Sequence, residues 1–265
     1  MPTLFLTPRG RPPILRTIGS GFYYSILNPS FLNSLEVLNS MLHLGVRHKV
    51  VSADRMPVIE MHSPSEPRQG FIEREQYEKL LDALPEWLKP VLTFAFQTGW
   101  RKGEILGLKW EHIDMKERQI TLPSRMSKNG KARPIYADDL VYRVLEGQKQ
   151  RQIEDGAEFF PLVFHRMRST GGSRTERKEN AHPERIGDFK KIWVKACKKA
   201  GLEGLLFHDL RRSGIREMVR SGYSERVAME ISGHRTRIVF DRYNIVSLED
   251  QKAAAVRRTG KINYR

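Results

Sequence analysis

The chain has 265 residues, with 46 Lys or Arg against 31 Asp or Glu, and a formal net charge of +15. A positive excess of this size favours a nucleic acid partner, because Lys and Arg bind its phosphates. The single cysteine, Cys197, excludes a disulfide framework and a thiolate metal cluster, and it is typical of a protein of the reducing cytoplasm. No apolar run reaches the roughly 18 residues that a membrane span needs.

Residues 1–30 differ in composition from the rest of the chain. They contain five prolines, no acidic residue and no periodic apolar pattern, which predicts an irregular or disordered leader. An acid-free start with arginines also resembles an organelle transit peptide, although no amphipathic helix accompanies it.

Residues 31–49 carry apolar side chains at helical spacing, which predicts one amphipathic helix; these are Phe31, Leu35, Leu38 and Leu42. Residues 50–69 are rich in proline, a composition typical of a linker. The sequence therefore predicts a second, larger domain over residues 70–265.

Residues 70–136 are densely patterned. Helices are predicted at 73–84 and 86–98, the second ending at Gly99 and followed by a short helix from Arg101. Strands are predicted near 111–114, 119–123 and 133–136. The Asn129-Gly130 pair predicts a reverse turn between the last two.

Residues 137–265 predict further helices, at 138–152, 184–200, 209–221, 224–232 and 236–243. A short buried strand is predicted at 162–164, and the polar, basic residues 166–184 predict a mobile loop near DNA. The predicted fold class is mainly α with a small antiparallel β-sheet.

The motif HDLR places His208 and Arg211 three residues apart. On a helix this spacing puts both side chains on one face, close enough to bind one phosphate. Four residues are a weak signal, and a capping histidine beside a surface arginine is the alternative.

Arg101 follows a glycine turn and begins the next predicted helix, where its guanidinium can meet a phosphate. Glu104 lies three residues further on and could hold that guanidinium in place. An ordinary surface ion pair is the alternative interpretation.

Lys128 lies in the predicted turn between two strands, where a flexible side chain can reach a phosphate or a departing oxygen. Lys131 is three residues away and remains an alternative, and either could be a solvated turn lysine.

His234 precedes Thr236, a good helix N-cap, so the histidine lies at a loop–helix junction from which it can donate to a phosphate oxygen. Nine residues later comes Tyr243, expected near the end of the following helix. A tyrosine becomes a usable nucleophile when nearby arginines and a proton acceptor favour its anion.

The order of these residues and the words around them resemble the tyrosine recombinase family, the phage-integrase type, from about Gln69 to the end. The words are TGWRKGEILGLKW, SKNGKARPIY, HDLRRSG, ISGHRT and FDRYNIV. The resemblance also identifies residues 31–49 as the last helix of a core-binding domain, which would be truncated here.

The resemblance implies a site-specific recombinase in which Tyr243 attacks DNA and forms a 3′-phosphotyrosyl link. Arg101 and Arg211 would hold the phosphate oxygens with help from His234. His208 would act as general base or orient the phosphate, and Lys128 would be the general acid. No metal or nucleotide cofactor is implied. The implied partners are double-stranded DNA and three further copies in a tetramer, with no membrane, in the cytoplasm at the nucleoid.

Three alternatives stay open at this point. A type IB topoisomerase would use a similar tyrosine site to relax supercoils without dependence on a site. A DNA-binding regulator would need the basic surface but no Tyr243. An inactive recombinase fragment would follow from an incomplete N-terminal domain.

Overall fold

The computed structural model describes residues 14–15, 24–25, 29–57, 70–127, 130–169, 181–244, 246, 248, 250–252 and 255–256. It divides the chain into two units, Met1–Arg68 (unit 1) and Gln69–Arg265 (unit 2). None of the helices in the described part of the chain has the length and hydropathy to cross a membrane.

Unit 1 contains one long helix. Two short strands, β1 (Ile14–Leu15) and β2 (Tyr24–Ser25), pair antiparallel within the predicted leader. The helix predicted over 31–49 is present as α1 (Pro29–Arg47). None of the side chains described in it, from residue 34 onward, is buried: Leu38 is 46% exposed and Met41 is 64% exposed. The apolar spacing therefore predicted the helix correctly, although none of its described side chains is buried.

Unit 2 begins with helices around a hydrophobic core, α2 (Arg74–Ala83), α3 (Lys89–Thr98) and α4 (Lys102–Leu106). The apolar face of α3 is buried; its buried residues include Val91, Leu92, Ala95 and Phe96. Gly99 ends α3 with φ +62°, a left-handed conformation that glycine adopts without strain. That turn brings Arg101 to the start of α4.

A three-stranded antiparallel sheet follows, in the order β3 (Ile113–Asp114), β4 (Gln119–Leu122) and β5 (Arg133–Tyr136). Ile120 pairs with Ile135, and both side chains are buried. Asp138 then caps α5 (Asp139–Glu154) by accepting from the Val141 amide at 2.8 Å.

The prediction of a loop over 166–184 is wrong for the described residues. β6 (His165–Ser169) and β7 (Ala181–Arg185) form an antiparallel hairpin, and residues 170–180 lie outside the described residues. Polar composition misled the prediction, because Arg166 and Glu184 face each other across the hairpin and form an ion pair.

The predicted strand at 162–164 is also wrong. Leu162 forms only an isolated bridge with Lys109, while Val163 and Phe164 are buried ahead of β6. A short apolar run predicts burial more reliably than it predicts a strand.

Four more helices follow in unit 2, α6 (Lys190–Lys199), α7 (Asp209–Arg220), α8 (Glu225–Ser232) and α9 (Arg237–Asp241). Residues 248, 250–252 and 255–256, after α9, are helical as well. α6 begins six residues later than predicted, because residues 181–185 belong to β7. α7 packs against α3, and a Cβ on Gly214 would lie 2.4 Å from the Phe96 carbonyl oxygen. The predicted mainly α architecture with small antiparallel sheets is confirmed.

Candidate active site

Five of the six predicted site residues lie at the ends of helices of unit 2. Arg101 is the N-cap of α4, and His208 is the N-cap of α7 with Arg211 in its first turn. His234 follows α8, and Tyr243 lies in the turn after α9. Tyr243 was expected near the end of a helix over 236–243, but that helix ends at Asp241.

Arg211 is at the centre of the cluster and is only 2% exposed. Its Nη1 donates to the Gly99 carbonyl at 2.6 Å, and its Nη2 lies 3.1 Å from both ring nitrogens of His234. Burial, and next the charge of Arg101, lowers the pKa of Arg211 to about 9. The guanidinium therefore keeps its charge at neutral pH while it is held by the turn that ends α3.

His234 is buried between this arginine and Tyr243, whose ring centroid is 4.8 Å from its own. Ser232 Oγ lies 2.8 Å from His234 Nδ1 and donates to the Ala228 carbonyl at 2.6 Å, which fixes the orientation of the ring. Burial first, and then the nearby arginines, lowers the pKa of His234 to about 3. The imidazole is therefore neutral at pH 7.

His208 and Tyr243 meet through their polar atoms. His208 Nε2 lies 3.1 Å from Tyr243 Oη at the rim of the cluster. The protein atoms around the imidazole, and next the Arg211 charge, lower the pKa of His208. A neutral imidazole at this distance can accept the proton of the tyrosine hydroxyl.

Arg101 completes the cationic side of the cluster, and its charge contributes to the lowered pKa values of Arg211 and His234. Glu104 accepts from both the Arg101 backbone amide at 3.0 Å and its Nη1 at 2.8 Å. The Arg101 side chain nevertheless remains 29% exposed, so its remaining donors are accessible to a phosphate.

Lys128 lies outside the described residues, so its distance to this cluster stays a prediction. Its alternative, Lys131, is exposed ahead of β5.

Arg133, which was not predicted as a site residue from the sequence, is buried beside Glu104. Its Nη2 donates to Glu104 at 3.1 Å, and its guanidinium lies 4.8 Å from the Trp100 ring. Burial opposes the Glu104 charge, but the Arg101 amide and then Arg133 outweigh it, so the pKa of Glu104 is lowered. The available signal was strand alternation, which places Arg133 on the same inward face as Ile135.

Gly233 precedes His234, and its lack of a side chain leaves room for the Arg133 guanidinium. Its φ is +75°, and an added Cβ would lie 1.6 Å from Arg133 Nη1. A side chain at this position would force the Arg133 guanidinium to move and would disturb its contact with Glu104.

Among the described residues, no group of three or more His, Cys, Asp or Glu side chains could hold a metal ion. The arrangement instead offers guanidinium donors, two neutral imidazoles and a phenol. Such a set can bind a phosphate and transfer a proton to or from a hydroxyl group.

Comparison with known proteins decides the family. Residues 70–249, more than half of the chain, match the family model described as the phage integrase family. The chain belongs to this family. The predicted resemblance to tyrosine recombinases is thereby confirmed.

Two curated relatives illustrate the similarity. The integrase of Salmonella phage P22 is 29% identical over 190 residues, covering 72% of this chain and 47% of that protein. The tyrosine recombinase XerA of Pyrococcus furiosus is 25% identical over 186 residues, covering 69% of this chain and 59% of that protein. The chain thus spans about half of the length of the P22 relative.

Solved structures share the fold. The Tn1549 transposon integrase, in complex with a circular intermediate DNA, matches with a TM-score of 0.58 and 15% identity over 88% of this chain and 80% of that chain. A lambda integrase dimer bound to a core site matches with a TM-score of 0.55 and 19% identity over 82% of this chain and 60% of that chain. The predicted tyrosine recombinase catalytic-domain fold is confirmed.

Proposed function

We propose that this protein is a site-specific DNA recombinase that cuts and rejoins DNA through a 3′-phosphotyrosyl intermediate. One observation carries the proposal: a tyrosine hydroxyl lies 3.1 Å from a neutral imidazole, beside a buried arginine. The family membership of residues 70–249 supports the same chemistry.

The first step is the attack of Tyr243 Oη on the scissile phosphorus. His208 accepts the hydroxyl proton, the new bond to phosphorus forms, and the bond to the 5′ oxygen breaks. Lys128 donates a proton to that leaving oxygen, so a free 5′ hydroxyl results. Rejoining is the same sequence in reverse, with the 5′ hydroxyl as nucleophile.

The two arginines stabilise the charge that grows on the non-bridging oxygens in the transition state. Arg101 offers exposed donors, while Arg211 is fixed by Gly99 and His234, so neither needs to reorganise as the reaction proceeds. His234 assists at the same phosphate, and Glu104 keeps Arg101 in position.

We propose that the reaction needs neither metal nor ATP. A phosphotyrosine ester replaces a phosphodiester bond of similar kind, so the energy of the broken bond is retained for rejoining. The charges that a metal would neutralise fall to Arg101 and Arg211.

The partners follow from this chemistry. Double-stranded DNA is the substrate, and its phosphates suit the net charge of +15. Solved relatives are described as bound to DNA, one of them as a dimer on a core site. We propose that four copies act on two paired DNA sites, at the nucleoid.

The domain assignment is part of the proposal. Residues 70–265 form the catalytic domain, 50–69 a linker, 31–49 the last helix of a core-binding region, and 1–30 a leader. The exposed apolar side chains of α1 support this role, because such a helix is stable only when other helices cover that face.

The deciding experiment is covalent trapping on a nicked DNA substrate, whose cleaved end diffuses away so that rejoining fails. The native protein should become linked to DNA, and Tyr243→Phe should give no adduct while retaining DNA affinity. Tyr223→Phe is the matched control, since this exposed tyrosine follows the C-terminal end of α7, whereas His208 and Arg211 lie at its N-terminal end. An adduct formed by Tyr243→Phe would refute the proposed nucleophile.

Covalent trapping and plasmid relaxation together distinguish the alternatives. A type IB topoisomerase would relax supercoiled plasmids that lack any recombination site. A DNA-binding regulator or an inactive fragment would bind DNA but leave no covalent adduct.

A further inference from the structure

Three arginines on α7 are spaced four residues apart, at positions 212, 216 and 220, and we name them the arginine ladder. Residues four apart lie on one face of a helix. Arg212 and Arg216 are buried, and Arg220 is half-buried. Their contacts lie along α7 beyond Arg211, and the proposed chemistry gives them no role.

On one side the arginine ladder contacts residues 70–73, the first described residues of unit 2. Arg212 Nη1 donates to the Gly70 carbonyl at 2.9 Å, and the Arg216 guanidinium lies 3.9 Å from the Phe71 ring centroid. Arg216 also lies 3.6 Å from the Glu73 carboxylate, to which Arg220 donates. These contacts bind the start of unit 2 along the length of α7.

On the other side the same three arginines contact described residues that follow α9. Arg212 Nε donates to the Arg242 carbonyl at 3.4 Å, and its guanidinium carbon lies 5.5 Å from the Tyr243 ring centroid. Arg216 Nη2 donates to Asp250 at 3.2 Å, and Arg220 Nε donates to the same carboxylate. Each arginine therefore joins two segments more than 160 residues apart in the chain.

The chemistry of arginine suits this bridging role. A guanidinium directs five N–H donors from one rigid plane, so one side chain can bond two backbones at once, which a lysine ammonium does less well. A buried charge is costly unless it is well satisfied, and the buried Arg212 has the Asp209 carboxylate at 4.0 Å in addition to the carbonyls of both segments.

Tyr243 needs such external support. It follows α9, a helix of five residues, and lies in a turn held by its own amide donating to Phe240 at 2.8 Å. So short a helix is not stable by itself, so contacts outside it must set the position of the tyrosine.

We infer that the arginine ladder is a positioning device for the nucleophile, in which Arg212, Arg216 and Arg220 hold Arg242, Tyr243 and Asp250 against residues 70–73. The assignment of Tyr243 as nucleophile rests on the proposed function, whereas the structural coupling does not. Arg212 acts through Tyr243, and it is a positioning residue.

The first test measures the coupling without any reaction. Hydrogen exchange is followed by mass spectrometry in peptides covering residues 240–252 and 70–73, in the native protein, Arg212→Lys and Asp250→Asn. Exchange in both regions should rise at least tenfold in Asp250→Asn, and it should rise less in Arg212→Lys, while peptides of α3 stay unchanged. Unchanged exchange in both variants would overturn the inference, even if the protein proved to cleave no DNA.

The second test asks whether Arg212 acts through the tyrosine. Arg212→Ala should lower the rate of covalent adduct formation at least tenfold with the dissociation constant for DNA within twofold. Arg212→Lys should be intermediate, because lysine can reach one carbonyl but not both. Arg226→Ala, on the exposed face of α8, is the matched control and should behave as the native protein.

A Tyr243→Phe background then separates positioning from phosphate binding. Hydrogen peroxide supplies the nucleophile: its oxygen forms the bond to phosphorus, the bond to the 5′ oxygen breaks, and that oxygen takes up a proton. Arg101→Ala should abolish this peroxide-driven cleavage, whereas Arg212→Ala should change it less than twofold. An equal loss in the Arg212 variant would show that this arginine serves the phosphate site or the fold, and would overturn the inference.

Discussion

Helices α1 and α3 have similar apolar spacing in sequence but opposite environments in the structure. α3 buries Leu92 completely among its neighbours in unit 2. In α1 every side chain described is at least partly exposed, Leu38 among them. Apolar periodicity therefore predicts a helix, whereas burial of its apolar face depends on which other parts of the chain pack against it.

The packed core of unit 2 also holds the candidate site residues in place. The five described candidate residues lie where helices of unit 2 begin or end, next to side chains that the core fixes. Arg211, for example, is fixed by the turn at Gly99 that closes α3. A site of fixed donors needs such a scaffold, because each donor must hold its place as charge develops.

The largest expected difference between the two regions is in catalysis. Arg101→Ala should slow covalent adduct formation, because it removes a donor to the phosphate. The expected loss of transition-state stabilisation is about 3–4 kcal/mol. Arg47→Ala, in the last turn of α1, should leave the rate nearly unchanged. Single-turnover cleavage under saturating protein measures both. An equal loss in the two variants would mean that chemistry is not confined to unit 2.

The next difference is in stability. Leu92→Ala removes a side chain with no exposed surface and should lower the free energy of unfolding by about 3 kcal/mol. Leu38→Ala in α1 should change it by less than about 0.5 kcal/mol. Urea unfolding followed by tryptophan fluorescence measures both values. A comparable loss at Leu38 would show that α1 is part of a packed core.

Local sequence patterns predicted much of this architecture. The run Arg133–Tyr136 was predicted as a strand and is β5, and the helix predicted over 86–98 contains α3. Predictions failed where polar residues form structure with distant partners. The β6–β7 hairpin is stabilised by Arg166 and Glu184, which are 18 residues apart, and composition alone does not show such a pair.

The candidate site shows the same limit. Its predicted members were found by their order and by family words, and five of them come together. Arg133 and Arg212 were missed because their partners, Glu104 and Gly70, are far away in sequence. Only the folded chain shows that these arginines support the groups around them.

A third prediction concerns pH and the buried cluster. The pKa of His234 is about 3 in the folded protein against an ordinary 6.5, because of burial and the charges facing it. Below pH 6.5 the unfolded chain therefore binds a proton that the folded chain does not, so stability falls as pH falls towards 3. After burial, the charges that lower this pKa are those of Arg211, Arg101, Arg133 and His208.

The free energy of unfolding should fall by about 1–2 kcal/mol between pH 7 and pH 5. This is less than the pKa shift alone would give, because solvent partly screens the charges of the cluster. In His234→Gln the free energy of unfolding should lack this pH-dependent change. Urea unfolding at the two pH values compares the native protein with the variant. An identical pH dependence in both would show that His234 does not titrate as its surroundings imply.

The smallest expected energy is the local stability of α1 itself. α1 has 19 residues, and none of its side chains described from residue 34 onward is buried, so it depends on its own hydrogen bonds. Isolated helices of this length are marginal in water. Amide hydrogen exchange should give opening free energies of about 0–2 kcal/mol across α1, whereas the amides of α3 should open only with global unfolding, at about 5 kcal/mol or more. Leu38→Ala and Met41→Ala should not lower the α1 values, since these side chains have no core to lose and alanine is a strong helix former. Protection in α1 as strong as in α3 would mean that its apolar face is covered in solution, and the contrast between the two helices would then disappear.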